Sequence, residues 1–427
     1  MDTIFALATA RGKSGVAIIR ISGARALDVA RDLAGDLPGF HQARLRRLTD
    51  SDGSLIDEAL VVCFPSGQSF TGEESVELQT HGSPAVIAAL LRFLSDQDGL
   101  RVAEPGEFTR RALENDRMDL SEIEGLGDLI DAETEAQRIQ AMRVFSGHLG
   151  AKAEMWRKDL LRAMALIEAT IDFADEEVPT DVNPEVFDLL KLSLDSLRAE
   201  HSGTQWAERV RDGFRVAILG APNVGKSTLL NYLAGREVAI TSSIAGTTRD
   251  VVEARLDVKG IPVSFLDTAG LRETTDVIES IGVSRAKQTA EEADLRVILI
   301  NSQDQDLGLE PSPQDLILRA KCDDGQPGGI SGATGAGVVT LLDHVAEVFE
   351  RRVASVGAST KERHRIAISR AITSIEVASE LLESDQGEPE LIAEELRTAV
   401  HSIQSLVGRI DIEHVLGEIF SSFCIGK

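Results

Sequence analysis

Gly220-Ala221-Pro222-Asn223-Val224-Gly225-Lys226-Ser227, in the middle of a chain of 427 residues, reads as a phosphate-binding loop. Phe214 to Leu219 before it has the apolar pattern of a buried strand, and Thr228 to Leu233 after it opens a helix. Strand, loop and helix in that order are the context the motif requires. Successive backbone N–H groups of such a loop form a concave anion site at a helix N-terminus, where the helix dipole also favours negative charge. Lys226 is expected to reach the β and γ phosphates, and the Ser227 hydroxyl to hold Mg²⁺. Asn223, Val224, Gly225 and Thr228 complete the expected loop contacts.

Two further motifs follow in order. Gly246-Thr247-Thr248-Arg249-Asp250 lies in a polar stretch between two strand candidates, where a nucleotide switch belongs, and Thr248 is the expected second Mg²⁺ ligand. Asp267-Thr268-Ala269-Gly270 follows an apolar strand, its Asp placed to orient the metal's water shell and its Gly to donate N–H to the γ-phosphate. Spaced this way, the three motifs predict a GTPase. Leu271 stands where Ras-like enzymes carry the glutamine that positions water, so the hydrolytic machinery must differ. The guanine-reading segment is Ala320-Lys321-Cys322-Asp323: Lys321 and Asp323 remain, while Ala320 replaces the usual asparagine and weakens the expected guanine preference. Taken alone, that segment also reads as a surface turn. Ser331-Gly332-Ala333 departs in the same way from Ser-Ala-Lys.

A net charge of −26 speaks against a broad nucleic-acid face, since phosphate contacts need clustered Lys and Arg. Arg44-Leu45-Arg46-Arg47 is the best local basic run, although such runs are usually solvated surface. Three scattered cysteines, Cys63, Cys322 and Cys424, suggest neither a disulfide framework nor a metal knuckle and fit a cytoplasmic protein. The N-terminus has no signal-peptide pattern, and no apolar run is long enough for a membrane span, so no membrane association is expected.

Up to about Phe108, β-rich runs such as Val16 to Ile21 and Glu58 to Phe64 alternate with helical patterns such as Pro84 to Leu94, which predicts an α/β domain. From Asp119 the pattern is helical through Ile171, with Ser121-Glu122-Ile123-Glu124 read as a capping box. Asn183-Pro184-Glu185 announces another helix running towards Leu197, and helical character returns over 360–382 and 388–420. The expected fold is multidomain α/β plus α-helical. Its parts are an N-terminal domain over 1–117, a discontinuous helical domain over 118–211 and 352–427, and an inserted Ras-like P-loop G domain over 212–351.

Asn223 resembles the loop asparagine of translation-factor-class GTPases that use a potassium ion where others use an arginine finger. The chain as a whole resembles the MnmE (TrmE) family of tRNA-modification GTPases. The resemblance rests on Asp2-Thr3-Ile4, Gly15 to Gly23, Pro105-Gly106-Glu107-Phe108-Thr109-Arg110-Arg111-Ala112, the three GTPase motifs and the terminal Cys424-Ile425-Gly426-Lys427. It implies an N-terminal domain that binds tetrahydrofolate, as the 5-formyl or 5,10-methylene form, and makes a homodimer. It also implies a FAD-containing flavoprotein partner, MnmG, in a heterotetramer that modifies carbon 5 of the wobble uridine of certain tRNAs with a folate one-carbon unit.

Carried over by position, the folate contacts fall on Arg20, Glu77, Arg117 (where the family usually has lysine) and Lys427. K⁺ ligands fall on Asn223, Ser242, Ile244 and Thr247, and GTP contacts extend to Thr247, Thr248, Asp267, Thr268, Ala269, Gly270, Lys321 and Asp323. Glu279 is implied to orient the attacking water; only the resemblance selects it over Glu273. Read from the residues alone, Arg20 and Arg117 are surface charges, and Cys424, considered catalytic in the family, is equally well a buried thiol. The alternatives are a ribosome-assembly GTPase, which would lack the folate-type domain and the Cys-Ile-Gly-Lys end, and a nucleotide-gated scaffold with a degenerate G domain.

Overall fold

The computed structural model describes residues 2–172, 182–236, 239–240, 253–267, 288–301, 313–354, 356–384, 388–410, 423 and 426. The chain divides into two compact units, Met1–Gly127 with Gln404–Lys427, and Asp128–Ile403.

The first unit is built on a six-stranded sheet in the order β3-β4-β5-β2-β1-β6. Its strands are β1 (Thr3–Leu7), β2 (Ser14–Ser22), β3 (Ala43–Thr49), β4 (Leu55–Phe64), β5 (Ser75–Gly82) and β6 (Leu100–Val102). All pairs are antiparallel except β1 with β6. Alternation along β2 buries Ala17, Ile19 and Ile21 under α1 (Ala26–Ala34) and α2 (Pro84–Ser95), while Arg20 takes the opposite face. Against β1 and β2 lies α3 (Glu107–Glu114), whose Phe108 is fully buried.

The Pro105-Gly106-Glu107-Phe108-Thr109-Arg110-Arg111 motif forms an ion clamp. Arg111, 4% exposed, donates to Glu73 at 3.0 Å, to Glu107 at 3.0 Å and to the Asp2 carbonyl at 2.9 Å. Arg101 donates to both Glu107 oxygens, at 2.6 and 2.8 Å, and to Asp2 at 2.6 Å. Burial alone would raise the Glu107 carboxyl, but the bonds from Arg101, the Glu104 N–H and Arg111 outweigh it and hold the group below its ordinary value. Glu107 and Arg111 sit one helical turn apart, which lets a single helix face present both partners.

The helical stretch after Asp119 is three helices, α4 (Leu120–Ile130), α5 (Glu135–Phe145) and α6 (His148–Asp172). The capping box lies two residues earlier than the sequence suggests: Asp119 Oδ1 accepts from Glu122 N at 2.9 Å, and Glu122 Oε2 accepts from Asp119 N at 2.8 Å. Ser121 instead donates to Asp119 at 2.7 Å. The helix announced at Asn183, α7, runs 30 residues to Asp212, well past Leu197. It buries Leu197, Thr204, Ala207 and Val210, so its apolar stripe continues where its surface composition turns polar. The later helices are α10 (Glu362–Glu383) and α11 (Pro389–Leu406).

Gly213 ends α7 and leads into the second sheet, ordered β12-β11-β10-β7-β9-β8. Its strands are β7 (Phe214–Gly220), β8 (Glu253–Val258), β9 (Ile261–Asp267), β10 (Leu295–Ile300), β11 (Leu316–Ala320) and β12 (Gly329–Ile330). Every pair is parallel except the β8–β9 hairpin. The helices α8 (Lys226–Ala234) and α9 (Val338–Val353) pack on a core that includes Phe214 stacked on Phe349 at 4.3 Å. This is the Ras-like P-loop arrangement that the motifs predicted. Asp294 ties its entry and exit together: its carboxylate accepts from Arg209 Nε at 3.0 Å and from Arg215 N at 2.8 Å, and its carbonyl accepts from Arg352 at 3.0 Å. Burial pushes the Asp294 carboxyl up despite these donors.

Candidate functional site

The loop after β7 turns sharply into α8. Asn223 adopts φ of 61°, and a Cβ at Gly220 would lie 2.4 Å from the Leu299 carbonyl oxygen, so only glycine lets the loop leave the sheet beside β10. Val224 is fully buried and anchors the loop, while Asn223, Ser227 and Thr228 are exposed on its open side. Lys226 is 6% exposed and donates from Nζ to the carbonyls of Gly220 at 2.8 Å and Ala221 at 3.0 Å, which holds the ammonium over the loop. Ser227 Oγ donates to Asp267 Oδ2 at 2.5 Å. Two motifs forty residues apart thus meet in one hydroxyl and one carboxylate, a hard-oxygen pair of the kind that holds Mg²⁺ beside substrate phosphates.

At the other side of the sheet, β11 ends at Ala320, and Lys321 turns with φ of 59°. Asp323 is exposed, and its Oδ1 accepts from Ser331 Oγ at 2.6 Å; Ser331 in turn accepts from the N–H groups of Ala333 at 3.2 Å and Thr334 at 3.1 Å. The carboxylate that would read the guanine edge is therefore fixed by the second base loop. A Cβ at Gly332 would fall 2.5 Å from Leu229 N, which gives the Ser-Gly-Ala departure a physical reason: this loop lies directly on the backbone of α8. Cys322 is buried and its N–H donates to Ile330 O at 3.2 Å, so Ala320 to Asp323 is stitched to β12. Ser242, Ile244, Thr247, Thr248, Thr268, Ala269, Gly270 and Glu279 lie outside the described residues.

In the first unit, Arg20 on β2 and Glu77 on β5 face each other across the ladder. Arg20 donates from Nε at 3.0 Å and Nη2 at 2.8 Å to Glu77 Oε1. The pair is about one-fifth exposed, and the guanidinium lies 4.9 Å from the Phe70 ring centre and 5.7 Å from that of Phe108. A guanidinium on aromatic faces with a carboxylate at its edge is a built polar niche, which a solvated surface arginine would not make. Arg117 is exposed on the turn after α3, with its Cγ beside Gly72. The chain end also returns here. A Cβ at Gly426 would lie 2.2 Å from the Leu7 carbonyl oxygen, and Leu7 is the β1 neighbour of Ala6, which pairs with Arg20. Cys424 and Lys427 lie outside the described residues. Phe70 was missed by sequence reasoning, since a lone aromatic in a polar loop carries no signal of its own. Among the described residues, no helix is long and apolar enough to cross a membrane.

Comparison with known proteins covers both units of the chain. The family model described as the GTP-binding protein TrmE N-terminus matches residues 3–117, and that described as the MnmE helical domain matches residues 120–424. Among relatives, a tRNA modification GTPase MnmE from Dinoroseobacter shibae is 60% identical over the full length of both chains. Proteins of the same description from Cereibacter sphaeroides (strain ATCC 17029) and Roseobacter denitrificans are 57% and 55% identical, again over the full length of both chains. With a phosphate loop, a hydroxyl–carboxylate pair beside it and full-length likeness to these enzymes, the chain belongs to the MnmE (TrmE) family of tRNA-modification GTPases.

Proposed function

We propose that the protein hydrolyses GTP to GDP and phosphate in a potassium-activated reaction that serves modification of carbon 5 of the wobble uridine of certain tRNAs. The observation that carries the hydrolytic part is the Ser227–Asp267 pair beside Lys226 at the phosphate loop. Backbone N–H groups of Asn223 to Thr228 cradle the phosphates, and Lys226 exchanges its loop carbonyls for phosphate oxygens. Ser227 and Thr248 hold Mg²⁺, with Asp267 orienting its water shell; Gly270 donates to the γ-phosphate, with Thr268 and Ala269 completing that loop. Lys321 and Asp323 read the base.

Water attacks the γ-phosphorus, a new P–O bond forms as the bond to the bridging oxygen breaks, GDP carries away the electron pair, and the water's proton passes to a phosphate oxygen and on to solvent. Glu279 orients that water. Asn223, Ser242, Ile244 and Thr247 would hold K⁺, which when bound would supply positive charge where other GTPases use arginine. Turnover compared in potassium and sodium buffers tests this reading; equal rates in both would remove the cation from it.

The Arg20–Glu77 niche supports a folate site, with Arg117 and Lys427 as further contacts. Glu77 suits the donor-rich amidine edge of a pterin, and the cations suit the glutamate tail. Folate as the 5-formyl or 5,10-methylene form, Cys424 beside it, a homodimer formed by residues 1–117 and a FAD-bearing MnmG partner complete the reading. The inserted G domain is assigned to 212–351 and the helical domain to 118–211 with 352–427, in a cytoplasmic protein. Titration with 5-formyltetrahydrofolate, repeated with Arg20→Ala, tests the niche. Unchanged affinity in that variant would sink it.

A further inference from the structure

The two strands that border the switch motifs are joined by a two-residue turn, Lys259-Gly260, with φ of 53° and 84°. β8 begins immediately after the first switch segment, and β9 ends on Asp267. The turn meets α5 end-on: Ala136 N, one of the orphan donors of that helix's first turn, donates to Gly260 O at 2.9 Å. Thr134 and Gln137 form the capping box of the same turn, Gln137 Oε1 accepting from Thr134 N at 3.0 Å. From the other side of α5, Gln137 Nε2 donates to Arg211 O at 2.8 Å and Gln140 Nε2 to Ala207 O at 2.8 Å, on the last turns of α7 that feed β7 and the phosphate loop. A polar cavity of about 620 Å³ lies alongside, lined among others by Gln137, Gln140, Arg211, Glu253, Arg255 and Ser264. Within it Glu253 accepts from Ser264 at 2.7 Å and from Arg255 at 3.1 Å.

We propose that α5 is a strut between the hairpin and the root of the phosphate-loop strand, and that Gly260, with Thr134 and Gln137, positions β8 and β9 for GTP hydrolysis. A helix hydrogen-bonded at one end to the hairpin turn and along its length to α7 ties that turn to the helix that feeds β7, and so backs up the direct β7–β9 ladder that carries Asp267. The hairpin packs its apolar face into the core through Leu256, Val258, Ile261 and Val263, and on the side where the cavity lies α5 supplies its hydrogen-bonded support. Gly260 serves because a Cβ there would come within 3.3 Å of Glu135 Cβ at a backbone angle that side chains rarely adopt. The inference rests on the assignment of Asp267 to the metal's water shell. An Asp267→Asn variant tests that assignment separately, since normal turnover in it would remove the assignment whatever α5 does.

The experiment uses the full-length protein in potassium buffer and compares Gly260→Ala, Thr134→Ala with Gln137→Ala, Thr134→Ser and Lys259→Ala. Lys259 makes an exposed ion pair with Asp343 on α9 and serves as the control. The expected result is a kcat about five-fold or more below the parent in the first two, the lower end of typical coupling between sites. KM and GDP affinity should stay within two-fold, Thr134→Ser should restore the rate, and Lys259→Ala should be neutral. Amide exchange over 131–140 is expected to differ between the GDP state and a GDP–aluminium fluoride state. Unchanged kcat in both variants overturns the proposal, as does exchange that is the same in the two states. A loss of nucleotide affinity in step with kcat overturns it too, because that marks general loosening of the domain.

Discussion

The two sites in this chain are built in opposite ways. In the nucleotide domain the chemistry is carried by a continuous octapeptide whose backbone does most of the binding, with Lys226 and Ser227 supplied by the same turn. In the N-terminal domain the candidate niche is assembled from side chains at distant positions: Arg20 and Glu77 meet through strand register, Phe70 and Phe108 come from a loop and a helix, and Gly426 arrives from the far end of the chain. A backbone site tolerates change around it as long as its turn survives. A register site depends on the whole sheet, here the β2–β5 ladder, beside which the Arg111 clamp ties Glu73, Glu107 and the Asp2 carbonyl together.

The sharpest way to break that contrast is Arg111→Ala. It takes the cation away from half-buried Glu73 and leaves buried Glu107 with Arg101 as its remaining cation, a loss at or below the lower end of the roughly 3–5 kcal/mol for a broken buried pair. The expected outcome is a lower unfolding midpoint in denaturant for the N-terminal unit, with GTP turnover nearly unchanged. The clamp also predicts acid sensitivity. Glu107 is held below its ordinary value, so its contribution is complete above the unfolded carboxylate range and is lost as pH falls through the depressed folded value. Stability of the parent protein should therefore fall on acidification more steeply than that of the variant.

Next in size is Lys226→Ala, expected to lower kcat by about 10²–10³-fold, the usual effect of removing one preorganised donor from a developing charge. Circular dichroism should show the fold intact. If that variant also lost folate binding, the two sites would not be independent in the way the comparison supposes. Arg20→Ala makes the complementary cut, with folate affinity reduced about ten- to a hundred-fold by loss of charge-assisted bonds and GTP turnover retained.

The smallest effect is expected at Glu208, whose carboxyl is pushed up by burial and by the neighbouring Glu362, and whose Oε1 has no partner among the described residues. A carboxyl raised in the folded state costs stability above its folded value and nothing below its unfolded one. Glu208→Gln should therefore raise the melting temperature slightly at neutral pH, with the gain vanishing on acidification into the unfolded carboxylate range.

How much of each site could be read in advance follows the same division. The loop, Asp267 and the Lys321-Asp323 segment are local patterns legible from their spacing, and the structure joins Ser227 to Asp267 by a hydrogen bond. The Pro105 to Ala112 motif was visible as a pattern, but its work was not, because Glu73, Arg101 and Asp2 have no sequence relation to it. Two capping boxes, Ser121-x-x-Glu124 and Asp119-x-x-Glu122, compete in one stretch, and only tertiary placement selects the second. α7 was ended too early because its second half presents polar residues outward while Thr204 and Ala207 are buried.

By itself, then, the sequence determined the nucleotide chemistry, the order of its motifs and the strand–loop–helix that carries them, since those depend on backbone torsions and near neighbours. The tertiary structure alone decided that Arg20 is a niche residue, that Gly332 must lack a side chain, and that α5 abuts the hairpin between the switch strands. Each of these is set by a contact between segments far apart in the chain, and such contacts exist only once sheet register and helix packing have been fixed by burial of the cores.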